Sequence, residues 1–293
     1  MKKKASPFKI FVHLFFIIYS LLCILPFLLL VGISFTEESV VKNGGYSLIP
    51  QQFSTSAYAY IFKDPSSLIR AYGVTFISAF GGAILGVAMM AALGYVLSRK
   101  IFLFKKGVTF YLLITMLFHG GIIPSYIINT KYLGLNNNIW VYLILNIFSA
   151  YTVFVFKTFF NSIPTSLIES AELDGAGEGT IMGRIILPLS KPVLATFLFM
   201  NIVSRWNDFE VPLYYVTDKN LYNLQFLLQQ ILNEAQFLEE MKKTMVGVDI
   251  IGETPTETLK FAMCILAAGP MLVVFPFFQK YFSKGMVVGA VKG

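Results

Sequence analysis

Six apolar runs alternate with more polar segments along the chain, at about Ile10 to Ile33, Ala71 to Leu97, Val108 to Ile128, Ile139 to Phe160, Val193 to Val216 and Leu259 to Phe282. Each has about the 20 residues that a helix needs to cross a hydrocarbon core of about 30 Å. Backbone groups at that depth have no water to bond, so a helix is the conformation that satisfies them. The pattern predicts an all-α membrane protein with six transmembrane helices in a single domain over 1–293. Six crossings leave both termini on the same side.

The polar segments are uneven. The segment between the fourth and fifth runs, Ile163 to Pro192, reads as two short helices around a glycine corner. Ser166-Leu167-Ile168-Glu169 after Pro164 has the spacing of a capping box, and Asp174-Gly175 allows a turn that other residues resist. A second short helix follows from about Ala176 through Ile185 and ends before Pro188. Further on, the leucines of Asn220 to Phe237 recur at helical spacing, which predicts a helix that lies on the outer surface or caps the bundle. Thr254-Pro255-Thr256-Glu257 reads as the capped start of the sixth crossing. Thr36 to Arg70 carries turn signals at Asn43-Gly44-Gly45 and Pro50. In the second run, Gly81, Gly82, Gly86 and Gly94 with Ala83 and Ala91 let neighbouring helices come close.

Composition supports a membrane chain, with 56% hydrophobic residues, 13% charged and a mean hydropathy of +0.69. The net charge of +7 does not point to nucleic acid. Its bases gather at the ends of apolar runs rather than on one face, which is a topological pattern. With both termini in the cytoplasm, the inner segments hold fourteen of the 23 Lys and Arg but four of the 16 Asp and Glu, namely Glu169, Glu172, Asp174 and Glu178. The charge bias therefore places Ile163 to Pro192 in the cytoplasm. The start, Met1 to Ile10, resembles a signal-peptide n-region, but the apolar run continues to about Phe35 without a cleavage site, which predicts a retained helix. Leu21-Leu22-Cys23 is a poor lipobox, and Cys23 and Cys264 are expected to be buried free thiols.

The chain lacks a P-loop. Gly175, Gly177 and Gly179 sit together with no lysine following to reach a phosphate. If transport uses ATP, with its magnesium, another subunit must bind it. His13 and His119 have no partners at metal-ligand spacing, and no nucleophile motif is present, so an enzyme has little support. His119, before Gly120-Gly121, fits either a pathway or a helix end.

Ionisable residues inside a membrane helix are costly and usually face the bundle interior. Arg205, Trp206, Asn207 and Asp208 are the candidates for a substrate pathway: an indole can stack on a pyranose, amide and carboxylate can bond hydroxyls, and arginine can meet an acidic sugar. Equally, Arg205 and Asp208 can pair at helical spacing while Trp206 joins an interfacial belt.

Glu169-Ser170-Ala171, three residues, Gly175, nine residues and Ile185-Ile186-Leu187-Pro188 resemble the EAA signature of ATP-binding-cassette importer permeases. Only Ser170 departs from it, replacing one small residue with another. Asp174-Gly175-Ala176, Leu187 to Pro192, Trp206-Asn207-Asp208 and the tail Lys284 to Gly293 extend the resemblance to the carbohydrate branch of type I importers. The ending Gly289 to Gly293 is most similar to permeases for complex oligosaccharides, a group that includes lipo-oligosaccharide and alginate importers. The resemblance implies a multi-pass subunit of the bacterial cytoplasmic membrane, surrounded by lipid and paired with a second permease. It further implies two ATPase subunits, which bind ATP and magnesium, and an extracytoplasmic solute-binding protein delivering a carbohydrate. Ser166, Glu169, Ser170, Ala171, Asp174, Gly175, Ala176, Ile185, Leu187 and Pro188 would then form the coupling segment that docks the ATPase, with Glu169 and Asp174 holding its corner. In some relatives the C-terminus also reaches between the ATPases. A secondary transporter is the alternative, distinguished by transport driven by an ion gradient in this chain alone.

Overall fold

The computed structural model describes residues 7–244 and 255–290, and the regular elements among them are helices, with one isolated bridge between Thr36 and Phe53. In chain order these are α1 (Pro7–Ser34), α2 (Glu38–Gly44), α3 (Ser56–Ile61), α4 (Pro65–Ser98), α5 (Lys105–Leu117), α6 (Ile122–Tyr132) and α7 (Trp140–Ile144). Then follow α8 (Ala150–Asn161), α9 (Thr165–Leu173), α10 (Glu178–Leu189), α11 (Lys191–Trp206), α12 (Glu210–Tyr215), α13 (Leu224–Thr244) and α14 (Thr256–Ala290).

Three stretches are continuous helices long and apolar enough to cross a membrane: Phe8–Ser34, Pro65–Ser98 and Thr256–Lys280. Two more candidates are bent pairs, α5 with α6 at 115° and α10 with α11 at 80°. The apolar runs therefore overstate helix continuity. The third run breaks at His119-Gly120-Gly121, where Gly121 has φ 87°. The fourth breaks between Ile144 and Ala150, around Asn146 at φ 55°. The fifth stops at Trp206 rather than running to Val216, and resumes as α12 after Asp208 accepts hydrogen bonds from the N–H groups of Glu210 (3.0 Å) and Val211 (3.1 Å). Apolar content survives a break that one or two polar residues cause, so hydropathy alone reads through it.

The helices fall into two compact units. One contains the residues up to Ser66 together with Leu228–Pro270. Here the side chains of α1 are exposed over most of its length, and burial begins near its end with Ile33 and Ser34. A helix apolar on every side suits lipid. Cys23 and Cys264 are free and exposed, not buried as expected from their apolar neighbours, because both lie on helix faces without protein cover in this chain. The start of α14 is capped from a distance. Buried Glu38 accepts from the backbone N–H groups of Glu257 and Thr258, each at 2.9 Å, and from the Thr258 hydroxyl at 2.8 Å. Lys42 lies 3.3 Å from Glu38 and 2.9 Å from Glu239. Burial pushes the Glu38 carboxyl up, but these donors and Lys42 outweigh it and hold it below the usual carboxylate range. The cap expected at Thr254 lies outside the described residues.

The second unit comprises Ser67–Leu227 and the chain from Met271 onward. Its main core joins Met90 and Leu97 of α4, Val153, Phe156 and Phe160 of α8, and Ile181 and Ile186 of α10. Small residues set the spacing: a Cβ on Gly94 would lie 2.8 Å from the Phe156 Cβ, and one on Gly86 would lie 2.7 Å from the Ile147 carbonyl oxygen. A smaller core gathers Val74, Val141, Tyr142, Val211 and Tyr215. Both candidate sites belong to this unit.

Candidate functional site

The segment from Pro164 to Ser190 forms a closed corner. Helix α9 begins at Thr165, with Pro164 as its N-cap and no side-chain cap bond. The expected capping box is therefore not formed. Proline's fixed φ starts the helix one residue early and moves Ser166 inside it, so its hydroxyl no longer occupies the capping position. At the other end, the Gly175 N–H bonds the Glu172 carbonyl at 3.0 Å and the Ala176 N–H bonds the Ala171 carbonyl at 2.9 Å. With Gly175 at φ 80°, this is a Schellman motif, which needs a residue comfortable in the left-handed region.

Helix α10 then runs through Pro188 instead of ending before it. A π-helical turn over Met182–Ile186 precedes the proline, so the hydrogen-bond ladder has already shifted where the missing N–H would fall. Ile168 and Ile186 are buried and Ala171 and Ala176 pack partly against the main core, while Ser166, Glu169, Ser170 and Asp174 face out. Ile185 and Leu187 are half-buried. Leu173 is 90% exposed, an apolar side chain at the apex of the corner.

The corner is held by residues that sequence reasoning missed. Arg99, one residue beyond α4, donates to Glu172 at the end of α9 and to Glu178 at the start of α10, with Nη2 3.0 Å and Nε 3.1 Å from Glu178 oxygens. The Tyr95 hydroxyl, one turn earlier on α4, also donates to Glu178. Glu169 and Asp174, expected to hold the corner, make no side-chain hydrogen bond or ion pair among the described residues. Glu169 instead lines a cleft of about 350 Å³ with Arg99, Thr165 and Glu172. One signal was available in the sequence: four acids, Glu169, Glu172, Asp174 and Glu178, fall close together in this segment, while Arg99 and Lys100 end the second apolar run.

The second group, Arg205 to Asp208, is divided by the fold. Arg205 is 7% exposed and spans the break in the fourth run, donating from Nη1 to the Tyr142 carbonyl (2.5 Å) and from Nη2 to the Leu145 carbonyl (3.2 Å). Those carbonyls end α7 and lack helical partners, so the guanidinium replaces the missing turn. It forms no ion pair with Asp208, whose carboxylate caps α12; its two Nη atoms are taken by backbone carbonyls, while its buried Nε has no hydrogen-bond partner among the described residues and the side chain lines one polar cavity with Asn207 and Asp208. Trp206 is 0% exposed, edge-on to Phe76 at 5.2 Å and tilted against Tyr72 at 6.5 Å. It offers neither a sugar-stacking face nor a belt position here, because both sides of the indole are packed.

Asn207 and Asp208 remain at the edge of a polar cavity of about 270 Å³, shared with Asn146, Asn201, Ser204 and Glu210. The Asn207 side-chain oxygen Oδ1 accepts from the Gln225 side-chain amide at 3.1 Å, and its own side-chain amide donates to the Val203 backbone carbonyl at 2.9 Å. A second cavity of about 480 Å³ shares Leu145, Asn146 and Glu210 and extends to His119, Ser125 and Tyr214. Each of the three helix breaks thus lines one or both of these cavities. Irregular backbone at membrane depth is tolerated where it lines a cavity.

The same fold is found in known transporters. A solved structure of a bacterial ABC transporter involved in the import of the acidic polysaccharide alginate superposes with a TM-score of 0.77 and 25% identity, covering 96% of this chain and 100% of that one. The polygalacturonan/rhamnogalacturonan transport system permease protein YtcP of Bacillus subtilis (strain 168) is 33% identical over 99% of this chain and 100% of its own length. Protein LplC of the same organism is 34% identical over 92% of this chain and 90% of its own. Residues 102–288 match the binding-protein-dependent transport system inner membrane component family, and the chain belongs to that family.

Proposed function

We propose that this chain is one of two permease subunits of an ATP-driven importer that moves an oligosaccharide across the bacterial cytoplasmic membrane. The observation that carries the reading is the corner from Thr165 to Leu189, which combines the EAA spacing with a closed Schellman turn and an exposed apolar apex at Leu173. A short, internally braced helix pair that leads directly into α11 is a stiff lever. Ser166, Glu169, Ser170, Asp174 and Gly175 supply its outer face; Ala171, Ala176, Ile185, Leu187 and Pro188 supply its packing and exit. Two ATPase subunits grip it from the cytoplasm and an extracytoplasmic binding protein delivers the sugar.

In this reading the chain crosses six times with both termini inside, the broken stretches α5–α6, α7–α8 and α11–α12 each counting as one crossing. The charge bias supports that topology. Asn207 and Asp208, with the polar cavity around Asn146 and Glu210, form this subunit's part of the passage, while Arg205 and Trp206 build its wall. The relatives named for polygalacturonan, rhamnogalacturonan and alginate make oligosaccharides of acidic polysaccharides the first substrates to try.

The test is reconstitution with the partner permease, the ATPases and the binding protein. The reading expects one class of oligosaccharide to stimulate ATP hydrolysis and to accumulate with it. Accumulation driven by an ion gradient in vesicles holding this chain alone would replace it with a secondary transporter.

A further inference from the structure

The coupling corner is joined covalently to the membrane helices at its two ends, through Ser162-Ile163 to α8 and through Ser190 to α11, the latter across an 80° bend. Neither covalent link ties the corner to α4, and a pair of short helices passes force to a helix it does not join only through a fixed contact. We propose that Arg99 supplies that constraint: it is a positioning residue that fastens the corner to α4, so that movement of the corner by the ATPase is delivered to α4 as well as to α11. This rests on the coupling role proposed for the corner.

The geometry is specific. Glu172 and Glu178 lie on opposite sides of Gly175, and one guanidinium binds both, so the Schellman turn is stapled across its mouth. Both Nε and Nη2 reach Glu178, an engagement that the planar fork of arginine allows and a lysine ammonium does not. Tyr95 places a second donor on the same carboxylate from the same helix, and its ring lies 6.0 Å from the Arg99 Cζ. Neighbouring Lys100 makes no ion pair among the described residues, so position 99 is singled out rather than the basic pair as a whole. Both carboxylates are about half exposed, with relative accessibilities of 47% and 49%. Exposed pairs add little to stability. What the staple contributes is an angle between α4, α9 and α10.

The experiment uses the assembled transporter and reads sugar transported per ATP hydrolysed, together with complex yield. Arg99→Ala and the double variant Glu172→Gln, Glu178→Gln are expected to assemble with the ATPases and to lose transport per ATP by about fivefold or more, within the usual span of coupling energies. Arg99→Lys, which keeps the charge and loses the fork, is expected to recover part of it. If Arg99→Ala fails to assemble, the double glutamine variant gives the same reading with the arginine retained. Unchanged transport per ATP in the variants that assemble overturns the proposal. The coupling role itself is checked separately, by cross-linking Leu173→Cys to the ATPase in a background with Cys23 and Cys264 replaced by serine. Absence of that cross-link refutes the docking site whatever the Arg99 variants do.

Discussion

Gly82 and Arg205 occupy one another's space: a Cβ on Gly82 would stand 2.7 Å from the Arg205 Cζ. The glycine on α4 is therefore the cavity into which the guanidinium of α11 fits while it bonds the Tyr142 and Leu145 carbonyls. Gly82→Val is expected to push the guanidinium off those carbonyls and reproduce the effect of Arg205→Met. Each buried carbonyl left unpaired costs about 1–3 kcal/mol. Thermal unfolding of the purified protein in detergent checks this. The double variant should be little worse than either single one, and additive losses would mean that the two residues act independently.

Gly175→Val forces a β-branched residue into the left-handed region at a cost of about 1–3 kcal/mol. The strain falls on a turn outside the membrane-crossing helices, so insertion and pairing with the second permease should persist. Stimulation of ATP hydrolysis by the loaded binding protein should fall together with uptake. A variant with wild-type uptake and wild-type stimulation would remove the turn from the coupling role.

Glu38 ties stability to pH. Its carboxyl is held below the usual range in the folded protein, so its contribution is fully present above the ordinary glutamate value of about 4.3 and is lost as the pH falls through the lower folded value. Glu38→Gln should lower the melting temperature at neutral pH and flatten its fall on acidification. Parallel acid profiles for the wild type and Glu38→Gln would show that the carboxylate does not carry this dependence.

Much of this architecture was legible from hydropathy, because an apolar residue count reports which segments enter lipid. The breaks were not legible to the same degree. His119-Gly120-Gly121 and Asn146 interrupt runs whose neighbours stay apolar, and the interruption is stabilised by distant groups such as the Arg205 guanidinium. The corner was located by the spacing from Glu169 to Pro188, and Gly175 was recognised as its pivot. Its fastening was missed because Arg99 carries two messages: a base at a helix end marks topology, and only the folded chain shows that it also reaches Glu172 and Glu178. The capping box at Ser166 misled for a local reason, since Pro164 had already taken the N-cap.

Asn207 and Trp206 are adjacent in sequence and differ in what the fold lets them touch, which makes them a test of the passage. Trp206 packs on Phe76 and Tyr72, so Trp206→Phe should reduce stability through lost volume while leaving the substrate dependence of uptake unchanged in the protein that folds. Asn207 borders the polar cavity and is braced by Gln225, so Asn207→Ala should assemble normally and raise the sugar concentration needed for half-maximal uptake by about tenfold, the effect of losing about 1.4 kcal/mol of hydrogen bonding. Uptake measured against sugar concentration at matched membrane levels separates the two. A changed concentration dependence in Trp206→Phe, with none in Asn207→Ala, would place the sugar on the indole and require the packed arrangement of α4 against α11 to open during transport.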